Sequence, residues 1–91
     1  MGKEYFVYVL YSKKLDQFYK GYTGNIKSRI FQHNSGYEKS TKYGCPWVLV
    51  YLEKFNTKHE AIIRENELKT GKGREFLQKF RPGSPPWRTK D

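Results

Sequence analysis

The run Glu4–Ser12 (EYFVYVLYS) carries aromatic and β-branched residues at odd and even positions alike. Successive side chains of a strand point to opposite faces, so this run is predicted to form a strand buried on both. At 91 residues the chain has length for one domain. The material for its core is unusual. Hydrophobic residues are 36% of the chain, and 8 Tyr, 6 Phe and 2 Trp make up about half of them. A core built on rings is expected, and a wholly disordered chain is excluded.

Polar residues Lys13–Asp16 break the first run, and Gln17–Thr23 (QFYKGYT) resumes strand composition, which predicts a hairpin. Gly21 inside the second run marks a bulge or a close backbone approach. A register that sets Tyr8 opposite Tyr19 is expected, with cross-strand ring packing as its simplest consequence. Thr23 or Asn25 caps a helix from about Ile26 to Ser35 that stops at Gly36. Tyr37–Pro46 reads as a polar loop, and Trp47–Phe55 as a third strand. Thr57-Lys58-His59-Glu60 has the capping-box spacing and opens a second helix to about Thr70, ended by Gly71 and Gly73. Arg74–Phe80 adds a short third helix. The order ββαβα(α) predicts an α+β fold, a small three-stranded antiparallel sheet flanked by helices. Residues 1–80 are expected to form the domain, and 81–91, with three prolines, a basic tail.

The net charge of +9 is spread over both halves: residues 1–45 hold eight basic and three acidic groups, and 46–91 hold ten and six. Such a field attracts polyanions, although it also serves solubility. The longest apolar runs have about six residues, far fewer than a bilayer requires. No secretory or myristoylation signal is expected at the start, and the chain is read as cytoplasmic with no membrane association. Cys45 is alone, so no internal disulfide is expected. With His33 and His59 it lacks the spacing of a structural zinc site.

Three features are out of place for a purely structural protein. On the first helix, Arg29 and His33 fall within about 60° of Ile26, on the arc that Ile26 and Ile30 bury. Arg29 there either snorkels to water or needs a carboxylate or a ligand, and His33 is either a satisfied helix histidine or a functional one. On the second helix, Glu65 lies about 40° from Ala61, inside the arc of Ala61, Ile62 and Leu68. It is either half of a salt bridge, with Arg29 as one partner to consider, or a ligand. Five of the eight tyrosines fall in the first hairpin, as packing or as stacking surfaces for bases.

Taken together, these positions resemble the GIY-YIG nuclease family. The first signature triplet reads Phe6-Val7-Tyr8 and the second Tyr19-Lys20-Gly21. Arg29 follows Tyr19 by ten residues, where the family carries its helix arginine, and His33 follows one turn later. Glu65, within Ala61-Ile62-Ile63-Arg64-Glu65, matches the metal-binding glutamate. The resemblance spans roughly residues 4–80. It is strongest to small stand-alone bacterial members related to the N-terminal domain of the excision-repair endonuclease. Phe6 replaces the usual glycine of the first triplet, Lys20 the apolar middle of the second, and Tyr22 a lysine of the excision-repair relatives.

The resemblance implies metal-dependent endonuclease activity on DNA, structure-specific and linked to repair or recombination. It assigns one Mg²⁺ or Mn²⁺ to Glu65, held mostly through waters and a substrate oxygen. Arg29 grips the scissile phosphate, Tyr8 or Tyr19 deprotonates water, and His33 relays a proton or binds phosphate. Lys20, Gly21, Tyr22, Lys27, Lys39 and Lys42 are implied as nucleic-acid contacts. Two alternatives stand beside it: a non-catalytic basic module that binds nucleic acid, and a domain that docks an acidic protein.

Overall fold

The computed structural model describes residues 3–81. The α+β reading holds. Strands β1 (Tyr5–Ser12), β2 (Gln17–Thr23) and β3 (Trp47–Phe55) form one antiparallel sheet in the order β2-β1-β3. Helices α1 (Ile26–Asn34), α2 (Lys58–Leu68) and α3 (Gly71–Gln78) pack against it, with a short 3₁₀ turn at Lys42–Gly44.

β1 is the central strand, and its alternation divides the core in two. Val7 and Val9 point to a cluster with Ala61, Leu68 and Leu77 of α2 and α3. Tyr8 and Leu10 point the other way, to Trp47, with Ile26 and Ile30 of α1 packed on them. Val7–Ser12 are all buried, as a strand covered on both faces must be.

The hairpin register corrects the expectation. Leu10, not Tyr8, stands opposite Tyr19, and Tyr8 stands opposite Gly21. Pairing Tyr8 with Tyr19 requires a tighter turn than the one that forms, which closes at Ser12 and Gln17. Asp16 takes a left-handed conformation (φ 53°) and accepts a 2.6 Å hydrogen bond from the Tyr11 hydroxyl. The Ser12 hydroxyl accepts from the Leu15 amide at 3.1 Å. The resulting slip of two residues keeps every side chain on its predicted face, which a slip of one would not. The irregularity in the sheet falls between Val9 and Leu10 against β3 rather than at Gly21.

The helix starts follow their caps. Asn25, not Thr23, caps α1 by accepting from the Ser28 amide, and Thr57 caps α2 by accepting from the Glu60 amide. The helices end at Asn34 and Leu68, one and two residues earlier than predicted. Gly71 and Gly73 do not merely end α2. They form the first turn of α3, capped by the Thr70 hydroxyl. Gly73 sits where α2 and α3 cross: a Cβ there would stand 2.5 Å from the Leu68 backbone. A breaker signal on sequence is here a packing requirement. Of the expected tail, only Arg81 lies within the described residues.

Candidate active site

Tyr8 lies in mid-strand with 1% of its surface exposed, and its ring leans over Gly21. A Cβ at position 21 would stand 2.7 Å from the Tyr8 hydroxyl oxygen and 2.8 Å from Cζ. The second triplet's glycine is therefore a steric consequence of the first triplet's tyrosine.

The Tyr8 hydroxyl is 3.0 Å from Nε2 of His33, and Nδ1 of the same ring is 3.0 Å from Oγ1 of Thr41. His33 and Thr41 are fully buried. Two proton arrangements satisfy the chain. Tyr8 donates to Nε2 while Nδ1–H donates to Thr41, or Thr41 donates to Nδ1 while Nε2–H donates to Tyr8. Both use neutral imidazole. Burial, reinforced by Arg29 and opposed by Glu38, pushes the His33 pKa below its ordinary value, so the ring is neutral at pH 7.

The surrounding hydrogen bonds hold this chain in place. The Trp47 indole donates to the Thr41 carbonyl at 2.7 Å, and the Cys45 thiol donates to the His33 carbonyl at 3.1 Å. The Asn34 carboxamide accepts from the Trp47 amide at 2.6 Å and donates to its carbonyl at 3.0 Å. Sequence reasoning missed Thr41, Asn34 and Trp47 as parts of the site. Thr41 falls in an irregular loop with no periodicity to mark it, and Trp47 read as an ordinary strand start.

Tyr19 flanks the chain. Its ring centroid is 4.6 Å from that of His33, 6.3 Å from that of Tyr8 and 6.2 Å from that of Trp47. The residue is half-buried, and its hydroxyl has no hydrogen-bond partner among the described residues. The two tyrosines thus differ in kind: Tyr8 is sealed and engaged, Tyr19 is half-buried and free.

Arg29 and Glu65 do not pair with each other. Arg29 Nη1 meets Glu38 at 3.1 Å and Gln32 at 3.3 Å, with its side chain 35% exposed. Glu65 is 14% exposed and meets Lys69 Nζ at 3.1 Å, one turn along α2. Both nevertheless act on Tyr8. Burial is the main cause that drives the Tyr8 pKa well above its ordinary value. Tyr19, Glu65 and Glu38 add to it, and Arg29 opposes it. One phenol therefore feels an arginine from α1 and a carboxylate from α2, helices that pack on opposite faces of the sheet.

The other expected contacts are dispersed. Lys27, Lys39 and Lys42 are exposed on α1 and in the connection to β3. Lys20 alternates to the opposite face from Tyr19, opposite Val9. Tyr22 packs on the cluster of α2 and α3. Among the described residues, no three His, Cys, Asp or Glu side chains converge as a closed metal cage. A single, slightly exposed carboxylate fits a hard divalent cation that keeps its waters and shares a phosphate oxygen, and does not fit zinc.

This sheet, with tyrosines from two strands, an arginine and a histidine from α1 and a glutamate from α2, is the framework of a nuclease family. The chain belongs to the GIY-YIG catalytic domain family, which it matches over residues 4–80. It is 48% identical over 71 residues to a UPF0213 protein of Staphylococcus haemolyticus, covering 77% of this chain and 84% of that one. A UPF0213 protein of the archaeon Natronomonas pharaonis is 38% identical over 71 residues, 77% of this chain and 82% of its own. The solution NMR structure of a UPF0213 protein from Bacillus halodurans superposes with a TM-score of 0.53 at 33% identity, covering 93% of this chain and 90% of that one. No helix among the described residues is long and apolar enough to cross a membrane.

Proposed function

We propose that this chain is a divalent-metal-dependent endonuclease that hydrolyses phosphodiester bonds in DNA, with structure-specific cleavage in repair or recombination. The observation that carries the reading is the sealed Tyr8–His33–Thr41 chain at the point where the charges of Arg29 and Glu65 meet. Burying polar groups costs stability unless each is satisfied, so a fully satisfied polar chain inside so small a core points to function.

Arg29 is the phosphate ligand. Its pair with Glu38 is more than one-third exposed on both sides and contributes only about 0–1 kcal/mol, so a phosphate oxygen displaces Glu38 at little cost. The guanidinium then neutralises charge that grows on the phosphoryl oxygens. Glu65, 14% exposed and paired only with Lys69 among the described residues, would hold the Mg²⁺ or Mn²⁺. The bound ion supplies Lewis-acid polarisation of the phosphate and an acidified water. Tyr19, whose hydroxyl has no hydrogen-bond partner among the described residues, meets the attacking water. Tyr8 keeps its proton because burial raises its pKa, and its bond to His33 fixes the wall on which Tyr19 packs.

The test is cleavage of labelled linear, nicked, flapped and branched DNA, with RNA counterparts, in Mg²⁺ or Mn²⁺. Metal-stimulated scission of DNA that disappears in Glu65→Gln and drops by about 10²-fold in Tyr19→Phe supports the reading. Salt-sensitive DNA binding without scission in either metal replaces it with the non-catalytic module.

A further inference from the structure

Two groups of cations outside the reacting centre bear on the path of a nucleic-acid strand. Lys27, Lys39 and Lys42 come from α1 and the connection after it, and all three are exposed. Lys20, Lys69 and Arg74 come from three separate elements, β2, the C-cap of α2 and α3. Lys20 and Arg74 line one cleft with Asp16, Phe18 and Leu77. Lys20 is half-buried there, and its ammonium pKa is lowered by burial first, then by Arg74 and Lys69.

Little in the fold neutralises this cleft. Asp16 shares it but is engaged by the Tyr11 hydroxyl at 2.6 Å and by Arg81 at 3.3 Å. Glu65 of α2 pairs with Lys69 at 3.1 Å. Neither Lys20 nor Arg74 has an ion-pair partner among the described residues. Bringing like charges together opposes folding, and a bound polyanion reverses the sign of that effect.

We infer that Lys20 and Arg74, which line one cleft, form a subsite for a second backbone phosphate, on the α2–α3 side of the sheet, flanking the phosphate that Arg29 holds. This rests on the nuclease reading and adds a direction to it. Lys20 adjoins Tyr19 in β2 but points to the opposite face, so the nucleic-acid strand leaves the reacting centre across the β2 edge. It does not run toward Lys39 and Lys42.

The test is binding of a fluorescently labelled flapped DNA by the full chain without divalent metal, over a range of salt, for the parent, Lys20→Gln, Arg74→Gln and Lys39→Gln. Lys20→Gln and Arg74→Gln should each weaken binding about three- to tenfold and flatten the slope of log K against log salt by about 0.7–0.9. Their melting temperatures should stay level or rise, because like-charge repulsion is relieved; a merely structural role would lower them. Lys39→Gln should change the affinity least. If the parent binds and cleaves DNA but both subsite variants bind as it does, the subsite is wrong and the nuclease reading stands. If the parent shows no affinity for DNA at low salt, the nuclease reading falls and the subsite with it.

Discussion

The two faces of the sheet are built on different principles. Toward α2 and α3 the core is apolar: Val7, Val9, Ala61, Leu68 and Leu77, ringed by Tyr51, Phe76 and Phe80 with centroids 5.4–5.5 Å apart. Toward α1, a histidine and a threonine are buried as deeply as the leucines are. The first face stabilises by removing apolar area from water. The second must satisfy each polar atom it buries, through Tyr8, Thr41, Trp47, Asn34 and Cys45. The comparison teaches that a chain this short can give one face to apolar packing and the other to a satisfied polar chain, because a single central strand serves both.

The sharpest way to break this division is to exchange the two kinds of damage. Leu68→Ala should lower stability by about 2–5 kcal/mol while the protein that remains folded cleaves at the parent rate. Glu65→Gln and Arg29→Met should keep the thermal midpoint nearly unchanged while cleavage falls about 10²–10³-fold. Denaturant titration beside single-turnover cleavage checks both. If the two charge variants unfold and their folded remainder cleaves normally, both residues are structural.

Gly21→Ala sharpens the comparison by touching only the second face. The added methyl must push the Tyr8 ring aside, which should cost about 1–3 kcal/mol and reduce cleavage by about 10²-fold. A variant as stable and active as the parent would show that the ring has room to move.

The pH dependence separates the faces with a smaller effect. The folded pKa of His33 is depressed, so the unfolded chain takes up a proton first as pH falls. The contribution of neutral His33 is complete above the unfolded value near 6.5 and is lost progressively below it, down to the lowered folded value. Parent protein should therefore lose stability between pH 6.5 and pH 5 more steeply than His33→Gln, measured by thermal melts. Identical slopes would mean that the ring is not sealed.

The smallest effect belongs to Glu38→Gln. It should change stability by less than about 1 kcal/mol, since its pair with Arg29 is half-exposed, and should tighten DNA binding slightly by freeing the guanidinium. A large loss of stability would make the pair a structural element of α1.

Much of this was legible in the chain itself. Strand parity, capping residues and helix periodicity are local properties, and they gave the element order, a first strand buried on both faces, Tyr8 and Tyr19 on one face of the hairpin, and His33 on the apolar arc of the first helix. The same periodicity set Arg29 and Glu65 on apolar arcs, although Arg29 proved one-third exposed. Tertiary structure decided what local periodicity cannot. The turn geometry at Asp16 shifted the hairpin register by two, and helix crossing turned Gly73 from a breaker into a contact. Partners were decided last. Thr41 for His33, Glu38 for Arg29 and Lys69 for Glu65 depend on how loops and helix ends meet in space. The meeting of Lys20 and Arg74 in one cleft is of the same kind, because Coulomb forces depend on distance through space, and sequence separation does not report it.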